Sequence, residues 1–376
     1  MQRYNVGIIG FGFIGRVHAY GHLNLPLFYD PAPCRTEITH VCTSRQETAE
    51  KGRRQIGAQF ATTDYRDITE NPEIDIVHIC TPNDLHKEQL LSAMRHDKHI
   101  YCDKPLVANM DEAEEILQAL KDYRGIAQMT FQNRFFPATI RARQLIDEGF
   151  LGRVLEFRAC YLHSGSADPN APLKWKLSGQ SGGGVIADLG SHVLDLMHYL
   201  LGDFEKLCAT TDIAYGERPS IHAPTRKVKV DVEDNVQMLI RSRSGASGTV
   251  EASKLATGTE DELRFEIHGS LGALRFNSME PHHLQAYDAR QADQPVGGRR
   301  GWTRIDTGQR YPRPAGFPGP KFSIGWMRTH VACLANFLRS VAAGSPADPG
   351  LEQGIYVQKL IECARVSAQT KRWVEL

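Results

Sequence analysis

The chain has 376 residues, 41% of them hydrophobic, and 44 Lys+Arg balance 44 Asp+Glu at a formal net charge of +0. That length exceeds one ordinary core and predicts two domains, while the charge balance excludes the electrostatic footprint of a nucleic-acid or anionic-membrane binder. The 8 cysteines are scattered without a Cys-x-x-Cys pair, so neither a metal site nor a disulfide framework is predicted, and with no leader or bilayer-length apolar run the expectation is a soluble cytoplasmic protein.

Val6 to Ile9 reads as a buried strand. Gly10-Phe11-Gly12-Phe13-Ile14-Gly15 turns it into a helix through Val17 and Ala19. This is G-x-G-x-x-G in its required context. The first glycine makes the turn, the second admits a pyrophosphate to the backbone, and the third packs helix on strand. A proline-containing insertion, Pro26 to Pro33, precedes a second strand at Ile38–Cys42. That strand ends in Thr43-Ser44-Arg45, where an NAD enzyme usually carries an acid for the ribose hydroxyls. A hydroxyl followed by a guanidinium suits a 2′-phosphate, so the cofactor reading is NAD(P) leaning to NADP. Arg45 is equally suited to the exposed start of the next helix.

Strand and helix signals then alternate as a doubly wound parallel sheet requires: helix near Gln46–Ile56, strand Ile74–Cys80, helix Leu85–Arg95, strand His99–Cys102. Two loops at the carboxyl ends of these strands stand out. In Thr81-Pro82-Asn83-Asp84-Leu85-His86, Thr81 and Asn83 can hydrogen-bond a cofactor and Asp84 is placed to cap the next helix. In Asp103-Lys104-Pro105, Lys104 would stand near the nicotinamide; an exposed loop lysine is the plainer reading. An amphipathic helix over Asp111–Tyr123, a strand over Ile126–Gln132 and a helix from Pro137 to Glu148 complete the first domain, predicted as residues 1–149 with its boundary in the turn Gly149–Gly152.

Residues 150–376 are predicted as a second, α+β domain. A strand over Val154–Tyr161 leads through a polar loop carrying Lys174, Trp175 and Lys176 to Gly182-Gly183-Gly184. Wound as a helix, the residues after this run put Ile186, Leu189, Val193, Met197 and Leu200 on a core face and Asp188, His192, Asp195 and Tyr199 on a polar one. A carboxylate one turn from an imidazole suits a general base with its orienting partner; a solvated polar face is the alternative. Val228, Val230, Val232, Val236, Met238 and Ile240 alternate with mostly polar residues as a strand does, within a mainly antiparallel sheet covered on one face by helices. Tyr311–Pro320 is a Pro/Gly-rich loop, and Trp326–Ala343 and Gly350–Thr370 read as helices that pack back on the first domain.

Together these motifs resemble the Gfo/Idh/MocA family of glucose-fructose oxidoreductases, inositol dehydrogenases and rhizopine-catabolism proteins. The resemblance rests on Gly10, Gly12 and Gly15, Thr81-Pro82-Asn83 with His86, Asp103-Lys104-Pro105 where the family usually has Glu-Lys-Pro, Arg134-Phe135, Trp175, and Gly184 through Asp195. It implies an N-terminal Rossmann domain and a second domain whose large open antiparallel sheet forms homodimers or homotetramers. It implies hydride transfer between a nicotinamide and a carbinol of a sugar or cyclitol, with Lys104, Asp188 and His192 as catalytic residues. Phe13, Ile14, Ser44, Arg45, Pro82, Asn83, His86, Asp103 and Lys104 would join the glycines and Thr81 around the cofactor, and Lys104, Arg134, His163, Trp175, Lys176, Asp188 and His192 would meet substrate. Some relatives cleave glycosides by transient oxidation and elimination and others are nucleotide-binding regulators, so the resemblance alone leaves those two activities open. The intact trio argues against the regulator.

Overall fold

The computed structural model describes residues 1–221 and 223–376. It divides into two compact units: residues 1–135, 311–319 and 325–358 form one, and residues 136–310, 320–324 and 359–376 the other.

The first unit is built on a six-stranded parallel sheet. Along the chain its elements are β1 (Arg3–Ile9), α1 (Phe13–Phe28), β2 (Arg35–Cys42), α2 (Gln46–Ile56), β3 (Phe60–Thr62), α3 (Arg66–Thr69), β4 (Ile76–Ile79), α4 (His86–Arg95), β5 (His99–Cys102), α5 (Met110–Ala119) and β6 (Ala127–Met129). The strand order β3-β2-β1-β4-β5-β6 reverses direction at β1/β4, which places a dinucleotide crevice at the carboxyl ends of those two strands. β4 is buried along its whole length, as a central parallel strand must be when helices cover both faces. Pro26 lies inside α1, which continues to Phe28; the predicted insertion therefore starts three residues later, at Tyr29. Leu25 is buried there, and Pro26 in the last turn removes the N–H donor that would reach the His22 carbonyl. Asp84 does not cap α4: it is exposed, and Leu85 holds the cap position without a side-chain bond.

The second unit carries α6 (Pro137–Asp147), β7 (Val154–Leu162), α7 (Ser191–Leu201), β8 (Phe204–Asp212), β9 (Glu217–Pro219), β10 (Lys227–Lys229), β11 (Asn235–Ser242), β12 (Ser247–Ser253), β13 (Glu262–Gly269), β14 (Gly272–Asn277), β15 (His283–Asp288) and β16 (Trp302–Asp306). Later in the chain come α8 (Trp326–Ala343), α9 (Leu351–Thr370) and β17 (Val374–Glu375). Nine strands in the order β16-β15-β14-β13-β7-β12-β11-β8-β17 form one sheet. Its β7–β12 pair is parallel and its other pairs are antiparallel. β11 alternates buried and exposed residues along its length, with Leu239 exposed on the open face. α6 and α7 cover the other face, α6 packing on β14 and β15. That packing, with Phe136 against Phe276, draws the division to Phe136 rather than to the Gly149–Gly152 turn.

The alternating run from Val228 to Ile240 is two strands, β10 and β11, which belong to different sheets. The chain between them leaves the sheet so that Glu233 can meet the start of the buried helix. α8 packs against α1 within the first unit, where Leu334 fills the space above Gly21.

Candidate active site

The first candidate surface is the turn after β1. Gly10 has φ +89° and its backbone lies against Cys80 O, where a Cβ would come within 2.5 Å. A Cβ on Gly15 would come within 2.0 Å of Gly10 O. A Cβ on Gly12 would meet nothing, and Gly12 caps α1 without a side-chain bond. The turn thus has two glycines fixed by packing and a third left open at a helix N-terminus, where donor N–H groups and the helix dipole favour an anion. These residues fit a dinucleotide pyrophosphate. Phe13 is exposed beside the turn, its ring 5.7 Å from that of Trp326.

Around that turn, Ser44 and Arg45 are exposed, Arg45 at the cap position of α2. Its carbonyl accepts from the Thr43 and Thr48 hydroxyls. Thr81 donates to Gln89 at 2.8 Å, and Asn83 is buried. His86 is fully buried. One ring nitrogen meets Thr81 O at 2.9 Å and the other lies 3.1 Å from both Pro105 O and Leu106 O. His86 therefore ties the Thr81–Asn83 loop to the loop carrying Asp103 and Lys104. Lys104 is part-buried. Arg134 is buried on a short 3₁₀ turn, Gln132–Phe135, with its guanidinium 3.2 Å from Asp348.

In the second unit the glycine run precedes the helix rather than starting it. Gly182 and Gly184 have φ of +67° and +108°. Gly183 and Gly184 donate to Ser178 O and Lys176 O, both at 2.9 Å, and a Cβ on Gly183 would lie 2.6 Å from Lys176 O. What approaches this glycine run is the chain's own loop. Val185 N–H donates to Glu233 O and Ile186 N–H to the Glu233 carboxylate, a capping acid at a helix N-terminus. Residues Ile186–Gly190 form a π turn, with Ser191 N–H reaching back five residues to Ile186 O.

Asp188 lies in that π turn. Its two carboxylate oxygens are held separately, Oδ1 by Lys176 Nζ at 2.8 Å and Oδ2 by Lys254 Nζ at 2.9 Å. His192 is buried in the first turn of α7, with the Tyr161 ring in edge contact at 5.7 Å. The predicted polar face is mostly enclosed: Asp195 is buried along with His192, while Tyr199 is part-exposed. His163 sits at the end of β7, where its Nε2 meets Asp261 at 2.7 Å and Tyr161 donates to the same oxygen at 2.6 Å. Trp175 is exposed, with Lys176 Nζ 5.7 Å from its ring centre, and Lys174 is exposed next to it. The loop from Arg299 to Gly319 is split, with Tyr311–Gly319 counted in the first unit. There Tyr311 donates to Phe135 O at 2.7 Å.

Sequence reasoning missed Lys254, Glu233 and Asp261. Each is a single charged residue just outside a strand, in no motif. An inward charge at the end of β12, whose preceding residues alternate, is the signal that could have found Lys254.

A parallel sheet in the order 3-2-1-4-5-6 with this glycine turn defines a dinucleotide-binding Rossmann protein, here followed by an open mixed sheet. Residues 4–131 match the oxidoreductase family with an NAD-binding Rossmann fold, and residues 139–275 match the GFO/IDH/MocA C-terminal domain. The chain is 35% identical to a levoglucosan dehydrogenase of Pseudarthrobacter phenanthrenivorans, over 100% of this chain and 99% of that protein. The solved structure of a levoglucosan dehydrogenase in complex with NADH and levoglucosan superposes with a TM-score of 0.94 at 35% identity, covering 100% of this chain and 99% of the other. A myo-inositol 2-dehydrogenase of Thermotoga maritima is 24% identical over 99% of this chain and 98% of its own. The chain belongs to the Gfo/Idh/MocA oxidoreductase family.

Proposed function

We propose that this protein is an NAD(P)-dependent dehydrogenase or reductase acting on a secondary alcohol or ketone of a sugar, sugar derivative or cyclitol. The observation that carries this reading is the buried His192 one turn after the doubly held Asp188, in a chain that keeps the dinucleotide turn. The relatives named levoglucosan dehydrogenase and myo-inositol 2-dehydrogenase support a polyhydroxylated ring as substrate, with levoglucosan the first compound to assay.

The residues that would hold the cofactor are the Gly10–Gly15 turn at the pyrophosphate, Ser44 and Arg45 at the adenosine ribose, and the Thr81–Asn83 and Asp103–Lys104 loops tied by His86. When bound, the nicotinamide supplies the hydride acceptor or donor. His192 takes the proton of the reacting hydroxyl, and the Lys104 ammonium donates to the same oxygen and stabilises its developing charge. Asp188 accepts from a substrate hydroxyl or orients His192. The exposed Arg45 guanidinium supports acceptance of a 2′-phosphate, and the NADH-bound relatives support NADH. Arg45→Asp should therefore lower kcat/KM for NADP by about tenfold or more and leave NAD little changed. Homo-oligomerisation through the open sheet face belongs to the same reading and is measured by light scattering.

Lys104→Met tests the central claim. Turnover should be lost while NADH still binds, as read by fluorescence titration, and full activity in that variant would end the proposal.

A further inference from the structure

Lys254 stands at the end of β12 with its side chain only 9% exposed. Its backbone N–H donates to Asp234 O at 2.9 Å, and its ammonium reaches Asp188 Oδ2 at 2.9 Å. A cation so enclosed is retained only with partners, and the bonded partner of Lys254 is the Asp188 carboxylate. Asp234 feels the charge of Lys254 along with that of Arg218. Arg218 is fully buried and donates to Ser166 O and Asp168 O, so it is itself fixed.

The two lysines on Asp188 differ in kind. Lys176 extends from the glycine-held loop with its side chain 46% exposed, whereas Lys254 is locked in a strand end. A buried ion pair contributes little net stability compared with well-packed apolar residues, because desolvation offsets the attraction. What such a pair does well is hold one carboxylate oxygen in one place with its charge intact.

We propose that Lys254 is a positioning residue that fixes Asp188 as an oriented anion through Oδ2, while Lys176 on Oδ1 is the exchangeable partner whose place a substrate hydroxyl takes. This rests on the reading of Asp188 as a residue that meets substrate or His192. Among the described charged and titratable groups near the carboxylate are Lys176 from the loop, Lys254 after β12 and the His192 imidazole one turn along the helix, with Asp234 and Arg218 beyond them interacting with each other.

The test uses the full-length protein with its cofactor and levoglucosan, or whichever polyol gives turnover. Asp188→Asn is measured first, and full activity in it overturns both Asp188's role and this proposal. With Asp188 shown to matter, Lys254→Met should lower kcat by about tenfold or more and move the acidic limb of the kcat/KM profile upward, since losing a cation beside Asp188 and one turn from His192 favours the protonated form of either group. Lys254→Arg should restore the limb, and Lys176→Met should change KM more than kcat. Lys254→Met should have little further effect in the Asp188→Asn background, because the two act as one unit. NADH titration serves as the control for folding, and Lys254→Gln replaces Lys254→Met if that variant does not bind NADH. A pH profile of Lys254→Met or Lys254→Gln that superimposes on the parent's, with Asp188→Asn inactive, overturns the role of Lys254 and leaves the proposed function standing.

Discussion

Acid should unfold the first unit through three histidines buried between α1, β2 and β4. His22 Nδ1 meets the Thr36 hydroxyl at 2.8 Å and its Nε2 meets His78 Nε2 at 2.9 Å; His78 Nδ1 then meets His18 Nδ1 at 3.0 Å. Each N···N contact takes one proton, which neutral rings supply. Burial holds all three pKa values below the ordinary value, that of His22 down to about 3, and for His18 and His78 neighbouring histidines add to the effect. A base whose folded pKa is depressed contributes stability above its unfolded pKa of about 6.5 and loses it as pH falls below that value. At pH 5 the unfolded His22 ring is almost wholly protonated and the folded one is not, which costs about RT ln(1 + 10^1.5), or about 2 kcal/mol, relative to pH 7.5. His18 and His78 act in the same direction.

The assay is hydrogen exchange of β1 and β4 amides at pH 5 and 7.5, corrected for the intrinsic exchange rate, because two units need not unfold as one. The opening free energy should drop by at least about 2 kcal/mol in the parent. In His22→Leu the drop should shrink by about 2 kcal/mol, whatever that substitution does to stability at pH 7.5. Equal pH dependence in parent and variant would refute the reasoning.

Two glycine substitutions should separate packing from ligand. Gly15→Ala drives a Cβ to 2.0 Å from Gly10 O and should cost about 1–3 kcal/mol of stability, whereas Gly12→Ala should melt like the parent and bind NADH at least about tenfold more weakly. Gly184→Ala combines φ +108° with a Cβ 2.2 Å from the Glu233 carboxylate. It should lower the melting temperature by several degrees, about 1–3 kcal/mol, and an unchanged melt would show that Glu233 is not what requires the glycine. His86→Leu frees the Thr81 and Pro105 loops from each other; the expected result is a raised KM for cofactor with substrate KM nearly unchanged, read by steady-state kinetics.

Much of the first unit was legible because its elements are long and strongly periodic: α2 runs from Gln46 to Ile56 as the pattern predicted. β3 and α3, at three and four residues, are too short to carry a period and were not anticipated. Asp84 has the chemistry of a cap, yet a 3₁₀ turn over Asn83–Leu85 carries the chain into α4 instead. In the second unit Val228–Ile240 alternates through a break, because Val230 and Val232 are buried in a loop just as they would be in a strand. Asp188 and His192 came from their helical spacing and Lys104 from its loop at a strand's carboxyl end, and the resemblance joined the three into one site. Lys254 and Glu233 touch the helix from strands distant in sequence, and local pattern does not report pairings of that range.

The π turn over Ile186–Gly190 means that this helix holds one residue more than an α-helix of the same span. Removing one residue from that stretch would let the helix close in regular α geometry with both flanks keeping their faces, because the wide turn is what absorbs the extra residue. Asp188, inside the wide turn, would shift against His192 and lose its placement between the two lysines, while the imidazole stayed seated. A shortened protein could melt higher than its parent and be inert. In that sense the slack in the helix is a spare length that this fold keeps for chemistry, and a one-codon deletion library across it would reveal how much stability has been set aside there.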